Sequence, residues 1–105
     1  RIEKIVAEPK SFLGKVLTPK ELEKYHTLPF KRKVEFLAGR FAAKEAYAKA
    51  LGTGIGQHVS FQDIEVLNDA TGKPVLVCER YSHQTWISIT HTSHDAYAVV
   101  VLESN

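Results

Sequence analysis

The spacing of apolar residues changes near the middle of the chain. Before Gly56, apolar side chains recur three or four residues apart, which predicts helices that each bury one face. After Gly56 the period changes: residues 86–90 alternate apolar and polar side chains and residues 96–102 are rich in valine, which predicts strands. The longest helical pattern covers residues 30–51, and its predicted inward positions are Val34, Leu37, Phe41 and Ala48. An order of helices first and strands second is typical of the α+β class.

Helix signals also occur before residue 30. Residues 2–8 have apolar positions at helical spacing, and Pro9 ends or interrupts this pattern. The tetrapeptide Thr18-Pro19-Lys20-Glu21 has the form of a capping box with proline at the first helical position. It predicts a short helix that runs to about Tyr25.

Four short strands are predicted in the second half of the chain. They cover residues 63–67, 75–79, 86–90 and 96–102, with turns at residues 68–72 and 92–95. We therefore predict one domain over residues 1–105, of the α+β class, in which N-terminal helices pack on a small, largely antiparallel sheet. Such a thin sheet has exposed edges, which must be covered or paired with another subunit.

Charge is unevenly distributed along the chain. The net charge is +2, but residues 1–50 contain 12 Lys and Arg against 6 Asp and Glu, whereas residues 51–105 contain 2 against 6. A basic half attracts acidic partners. A small acidic protein and nucleic acid both suit this charge, but the cations follow no known nucleic-acid-binding motif, so we predict no nucleic-acid partner.

The composition also bears on location. No apolar run approaches the length of a membrane span, so we predict no membrane partner. The single cysteine, Cys78, lies in an apolar run and is predicted to be a buried, unreactive thiol. A cytoplasmic location fits these features.

The segment Arg40 to Lys49 carries the most distinctive chemistry. Glu45 and Lys49 are four residues apart on one face of the predicted helix, and Arg40 and Lys44 lie one turn further back. One carboxylate among three cations can hold a divalent metal and a polyphosphate together, because the carboxylate binds the metal and the cations bind phosphate oxygens. The alternative is an ordinary solvent-exposed helix pair between Glu45 and Lys49.

A glycine-rich turn follows this helix. The sequence GTGIG, from Gly52 to Gly56, suits a helix stop, and glycines also allow a ligand to approach the backbone closely. The two interpretations are compatible. The turn is not a Walker loop, because it follows a helix and lacks the Gly-Lys-Ser/Thr ending.

Five motifs resemble one known family. In chain order they are FLAGRFAAKEA, KALGTGIG, SFQDIEV, GKP and SITHT, and the resemblance extends from Arg1 to about Glu103. Together they are similar to the bacterial holo-acyl-carrier-protein synthases, which are 4′-phosphopantetheinyl transferases. The resemblance implies transfer of phosphopantetheine from coenzyme A to a serine of acyl carrier protein, dependent on Mg²⁺, in support of fatty acid biosynthesis. It also implies a homotrimer with active sites between subunits.

The resemblance assigns roles to individual residues. It implies that Glu45 binds the metal and takes part in catalysis, and that Lys49 stabilises the leaving phosphate. The coenzyme A contacts that it implies are Arg40, Lys44, Lys49, Gly52, Gly54, Ile55, Pro74, His91 and Thr92. His91 and Thr92 are expected to act from the adjacent subunit. The alternative for His91 is a local pair with Asp95 at the end of a hairpin.

Family members begin with a short strand whose Gly-x-Asp motif supplies a second metal ligand. This sequence starts at Arg1, where that strand is expected to end, so we expect the strand to be lacking and Glu45 to stand without its partner carboxylate. The alternative function is therefore a non-catalytic domain that binds an acidic protein through its basic helices.

The first helices are the expected docking surface for the carrier protein. Arg1 and Lys15 supply positive charge around an apolar patch that includes Ile5 and Phe12, which share a helix face if Pro9 only kinks the chain. The alternative is that Ile5 and Phe12 belong to the core.

The remaining histidine patterns give weaker indications of function. His91 and His94 are three residues apart, but no further ligand supports a zinc site. His26, His58 and His83 have no assignable role.

Overall fold

The computed structural model describes residues 11–81, 83–92 and 95–103, and it begins with two short helices. Helix α1 covers Ser11–Val16 and helix α2 covers Pro19–His26. The predicted capping box at Thr18 is confirmed, because the Thr18 hydroxyl accepts from the Glu21 N–H and the Glu21 carboxylate accepts from the Thr18 N–H. The helical pattern predicted for residues 2–8 lies outside the described residues.

Helix α3 covers Phe30–Ala50 and is the longest element. It begins directly after Pro29, as predicted, and it ends where the glycine-rich turn begins. Gly52 has a φ of 91° and its N–H donates to the carbonyl of Lys49 at 2.9 Å. The N–H of Gly54 donates to the carbonyl of Ala48 at 3.0 Å. These bonds satisfy carbonyls that a helix end leaves free, so the predicted helix stop is confirmed.

The strands form two antiparallel hairpins. Strands β1 (Glu65–Asn68) and β2 (Pro74–Val77) pair in one sheet, and β3 (Gln84–His91) and β4 (Ala96–Glu103) pair in another. The prediction of a single sheet is wrong, because no strand of one hairpin forms a β-ladder with a strand of the other. The predicted start of the first strand, at residue 63, is also wrong, since Phe61–Asp63 form a 3₁₀ turn.

Side chains of α3 pack against both halves of the molecule. One buried cluster joins α3 to the hairpins through Ala43, Tyr47, Ala48, Val59, Ile64, Val66, Leu76 and Cys78. A second joins α3 to α1 and α2 through Leu13, Val16, Leu17, Tyr25 and Leu37. Cys78 is free and buried, as predicted. The long helix is therefore the central support of the fold.

Gly39 sets the distance between α3 and the second hairpin. A Cβ at this position would lie 3.1 Å from Cγ2 of Ile89 on β3, closer than ordinary van der Waals contact. The bare backbone of Gly39 lets β3 lie close against the helix, which brings the end of β3 near the middle of α3.

The outward face of the β3–β4 hairpin is apolar. Four large side chains on this face are substantially exposed: Trp86 (44%), Tyr97 (57%), Val99 (63%) and Val101 (52%). Trp86 and Val101 are direct cross-strand partners. Contiguous apolar surface of this kind on a folded domain commonly marks a protein–protein contact.

Within the described part of the chain, every helix is too short or too polar to cross a lipid bilayer.

Candidate active site

Helix α3 presents its candidate residues on two different sides. Arg40 and Lys44 are buried, whereas Glu45 is half-buried and Lys49 is exposed. Glu45 follows Arg40 by five positions, which places the two side chains about 140° apart around the helix axis. The predicted cluster of one carboxylate among three cations is therefore wrong for a single subunit.

Lys44 has a different environment from the predicted one. Its side chain is fully buried, and Nζ lies 2.6 Å from Oε1 of Glu21, whose side chain is also fully buried. Nζ donates further to the carbonyls of Val16 at 2.7 Å and Phe61 at 3.1 Å. Burial lowers the pKa of Lys44, and the Glu21 charge opposes this shift. Because all three ammonium hydrogens are used, the expectation that Lys44 binds phosphate is wrong.

Arg40 lines the wall of a cleft. Its side chain is 7% exposed, and its Nη2 donates to Oδ1 of Asn68 on β1 at 3.0 Å. The guanidinium carbon lies 4.1 Å from the centre of the Phe36 ring. Nε is buried and has no hydrogen-bond partner among the described residues. Burial lowers the pKa of Arg40, and the charge of Glu21 opposes this. Of the five guanidinium N–H donors, the structure pairs one with Asn68 and leaves the enclosed Nε–H without an internal acceptor in the part of the chain that it describes.

The cleft beside Arg40 has a volume of about 640 Å³. It brings together three of the residues predicted to contact coenzyme A, which are Arg40, Pro74 and His91. Its other lining residues are Lys24, Leu28, Arg32, Glu35, Phe36, Gly39, Asn68, Asp69, Ala70, Gly72 and Ile89. Three cations, Lys24, Arg32 and Arg40, outnumber the carboxylates of Glu35 and Asp69 around this partly apolar cleft, and the excess positive charge suits a ligand that combines a flat ring with phosphate groups.

Glu45 and Lys49 lie on the other side of α3. The local ion pair that their spacing permits is not formed, and neither side chain has a hydrogen-bond or ion-pair partner among the described residues. The described part of the chain contains no group of three or more potential metal ligands. Among the described residues, the Glu45 and Lys49 side chains therefore lie on an open side of α3 and have no polar partner.

The glycine turn continues this open side. Gly52 and Gly54 have positive φ values of 91° and 71°, and no atom lies within 4 Å of a Cβ built on either one. Their N–H groups already cap the helix. Ile55 is half-buried against the core cluster. The glycines therefore leave room for a ligand close to the backbone.

His91 is at the end of β3 and faces the cleft. It is exposed and makes no ion pair with Asp95, so the alternative of a local pair is not observed. Asp95 instead makes two hydrogen bonds with Thr92. The Thr92 N–H donates to the Asp95 carbonyl at 2.8 Å, and the Asp95 N–H donates to the Thr92 side-chain hydroxyl at 3.0 Å. His94 lies outside the described residues, and with it the His91–His94 zinc alternative.

The expected docking residues for the carrier protein are only partly described. Arg1 and Ile5 lie outside the described residues. Lys15 is exposed, in the last turn of α1. Phe12 is half-buried, and its ring centre lies 5.9 Å from that of Phe41 on α3. Phe12 therefore takes part in the packing of α1 as well as offering surface.

Sequence reasoning missed three residues that shape the site. Asn68 and Phe36 hold the guanidinium of Arg40, and Glu21 holds Lys44. The position of Lys44 carried a usable signal, since it lies seven residues after Leu37 and four before Ala48, within the predicted inward stripe. No comparable signal marks Asn68 or Phe36.

Comparisons with known proteins agree with this geometry. A sequence profile of the 4′-phosphopantetheinyl transferase superfamily matches residues 1–102. The holo-[acyl-carrier-protein] synthase of Lactobacillus johnsonii is 52% identical over 103 residues, covering 98% of this chain and 87% of the relative. That of Bacillus subtilis is 52% identical over 104 residues, covering 98% and 86%.

Solved structures of holo-[acyl-carrier-protein] synthases also match this chain. A holo-(acyl-carrier-protein) synthase from Bacillus anthracis, in complex with CoA (3′,5′-ADP), superposes with a TM-score of 0.93 at 50% identity, covering 100% of this chain and 88% of the other. The Helicobacter pylori enzyme in complex with coenzyme A gives 0.76 at 35% identity, covering 88% and 81%. The chain therefore belongs to the 4′-phosphopantetheinyl transferase superfamily. The resemblance of its motifs to the holo-[acyl-carrier-protein] synthases of that superfamily is confirmed.

Proposed function

We propose that this protein transfers the 4′-phosphopantetheine group of coenzyme A to a serine of apo-acyl carrier protein, in the cytoplasm and in support of fatty acid biosynthesis. The observation that carries the proposal is identity of about half the residues to holo-[acyl-carrier-protein] synthases over 98% of the chain. In this reaction the serine oxygen forms a bond to the β-phosphorus of coenzyme A. The bond from that phosphorus to the bridging oxygen breaks, and adenosine 3′,5′-bisphosphate leaves. The enzyme's task is to align these atoms and to stabilise the negative charge that develops on the leaving group.

The Arg40 cleft binds the nucleotide end of coenzyme A in this proposal. The partly apolar walls accept the adenine ring, and Pro74 and His91 lie along them. The guanidinium of Arg40, which lines the cleft, supplies positive charge and N–H donors for a phosphate oxygen. Stacking on Phe36 and the bond to Asn68 hold the guanidinium in place before the ligand arrives. Such preorganisation lowers the entropy cost of binding.

Glu45 and Lys49 act on the pyrophosphate. The half-exposed carboxylate of Glu45 suits Mg²⁺, which takes one or two carboxylates together with substrate phosphate oxygens. When bound, this ion neutralises charge on the pyrophosphate. Glu45 also accepts the serine proton, directly or through water, and Lys49 donates to the leaving phosphate. Gly52 and Gly54 give the ligand space along the backbone, with Ile55 beneath them.

The two sides of α3 argue for a homotrimer with shared sites. The cleft with Arg40 and His91 and the open side with Glu45 and Lys49 point away from each other within one subunit. A second copy that brings its His91 and Thr92 to the Glu45 side of the first copy completes the group of residues proposed to bind coenzyme A. The exposed apolar face of the β3–β4 hairpin supplies a surface for that contact, and a ring of three closes without leaving an unpaired face.

The carrier protein docks on α1 and the residues before it. Lys15, together with Arg1, supplies positive charge on the half of the chain that holds 12 Lys and Arg against 6 Asp and Glu. This charge attracts an acidic carrier and accelerates encounter. Phe12, with Ile5, supplies the apolar part of the surface.

The test is mass spectrometry of apo-acyl carrier protein incubated with coenzyme A, Mg²⁺ and this protein. The proposal predicts that the carrier gains one phosphopantetheine group on serine, and that the gain is lost with Glu45→Gln. The matched control is Glu79→Gln, an exposed carboxylate away from α3 that should keep full activity. A carrier that stays unmodified by the wild-type protein, yet binds it, would favour the non-catalytic alternative.

A further inference from the structure

A closed ionic network lies beneath the helix that carries Glu45 and Lys49. Lys44 and Glu21 both have fully buried side chains, and their Nζ and Oε1 atoms are 2.6 Å apart. The remaining ammonium hydrogens go to the carbonyls of Val16 and Phe61, at 2.7 and 3.1 Å. Lys44 therefore has no donor left for a ligand or for solvent.

Both carboxylate oxygens of Glu21 also accept hydrogen bonds. Oε1 also accepts from the N–H of Thr18 at 2.8 Å, and Oε2 accepts from the N–H of Val66 on β1 at 2.7 Å. One lysine and one glutamate thus join the end of α1, the start of α2, the 3₁₀ turn, β1 and the middle of α3.

Such a network fixes the relative positions of the helices and strands more than it raises the free energy of unfolding. Removing two charges from water costs several kcal/mol per ion, which the ion pair repays only when every partner is in place. Apolar packing between α1 and α3, through residues such as Val16 and Leu37, tolerates small displacements. The ionic network tolerates few displacements, because a shift of any helix or strand that it joins leaves a buried charge or carbonyl unpaired.

The elements that it joins are the ones that the reaction must align. Val16 is the last residue of α1, the helix that carries Phe12 and Lys15. Lys44 directly precedes Glu45 on α3. A single side chain therefore fixes the docking helix relative to the helix that holds the proposed metal ligand.

We propose that Lys44 and Glu21 are positioning residues, which hold α1 in register with α3 so that a docked carrier presents its serine to the transferring phosphorus. This inference rests on the proposed function of Glu45 and of the α1 surface. Without the network, only a fraction of molecules has α1 in the docking-competent position. The apparent affinity for the carrier is multiplied by that fraction. The coenzyme A cleft is affected less, because Asn68 and Phe36 hold Arg40 directly.

The test uses the double variant Glu21→Gln/Lys44→Met, which removes both charges together and keeps similar side-chain volumes. Its KM for the carrier protein should rise about five- to twentyfold, with KM for coenzyme A within about twofold of wild type. Lys44→Met alone leaves a buried carboxylate unpaired and is expected to fold poorly, so the double variant is the one to assay.

The control for a general loss of stability is Ile64→Ala. Ile64 is fully buried in the other core cluster, and its side chain takes no part in the network. Its N–H shares the carbonyl of Phe61 with Lys44, and the substitution keeps this backbone bond. A smaller folded fraction lowers the apparent kcat and leaves both KM values unchanged, so Ile64→Ala should not reproduce the shift in the carrier KM.

Hydrogen exchange gives a readout that does not depend on activity. The N–H of Leu17, which donates to the carbonyl of Leu13, should exchange faster in the double variant, while that of Leu51 at the end of α3 stays protected. Equal changes in both KM values, or a wild-type carrier KM with unchanged exchange at Leu17, would overturn the inference. If the wild-type protein transferred no phosphopantetheine, the proposed function would fail, and the exchange comparison would still decide whether the network positions α1.

Discussion

The substitution Arg40→Met should separate binding from stability. Met keeps an unbranched, apolar stem against Phe36 and removes the guanidinium, with its free Nε and its bond to Asn68. If Arg40 binds a phosphate of coenzyme A, affinity for this substrate falls and the fold changes little.

The size of each effect follows from the contacts of Arg40. Hydrogen bonds to charged groups contribute about 1.5–3 kcal/mol. Their loss should raise KM for coenzyme A by about 10- to 150-fold. The lost contacts to Phe36 and Asn68 destabilise the fold by about 1–3 kcal/mol. Relief from burying a charge opposes that loss, so the free energy of unfolding should change by only about 1 kcal/mol.

The assay compares steady-state kinetics for both substrates with thermal unfolding of Arg40→Met and of a matched control. Arg80→Met removes an exposed arginine that pairs with Asp63 at 3.7 Å, away from the cleft, and should leave KM for coenzyme A unchanged. A variant at Arg40 with a lowered Tm and a wild-type KM for coenzyme A would refute the reasoning and make Arg40 a purely structural residue.

Three further substitutions test the other parts of the site. Glu45→Gln should abolish activity at limiting Mg²⁺ with an unchanged Tm, because the amide keeps the shape and loses the charge that the ion needs; near-normal turnover would contradict the metal assignment. Lys49→Ala should lower kcat by about 10²-fold or more with little change in KM for coenzyme A, since charge builds on the leaving phosphate in the transition state. Lys31→Ala is the control, and a raised KM with unchanged kcat would make Lys49 a simple binding residue. Lys15→Glu should raise KM for the carrier about three- to tenfold at low salt and less at high salt, and a salt-independent KM would place docking elsewhere.

Local signals in the sequence were enough to predict most elements of the fold. The box at Thr18 and Glu21 marked the start of α2, and Gly52 marked the end of α3, because capping depends on residues that are close in the chain. The valine-rich run of residues 96–102 likewise predicted β4, which covers Ala96–Glu103. The grouping of strands depends on contacts distant in sequence, so the prediction of one sheet was wrong where the structure has two hairpins.

The site was harder to predict than the fold. Counting four positions along the helix puts Glu45 and Lys49 on one side of α3, but it also added Arg40 and Lys44, which the structure has buried on another side. The apolar stripe through Leu37 and Ala48 marks the side of α3 that faces the core, but a lysine on that stripe is rarely fully buried unless it is paired. Lys44 is buried because Glu21, 23 residues earlier, supplies the partner, and a pairing at that distance leaves no periodic trace.

The central claim is that the active site is assembled from two sides of α3 on two different subunits. It is tested most directly by mixing Glu45→Gln with His91→Ala, dissociating and reassembling the subunits, and measuring phosphopantetheine transfer. Each variant alone should be almost inactive. In random mixed rings, a site that takes Glu45 from one subunit and His91 from its neighbour is intact in roughly one case in four, so activity should recover to about a quarter of wild type. Activity no greater than that of the two variants measured separately would contradict the claim and place the whole site within one subunit.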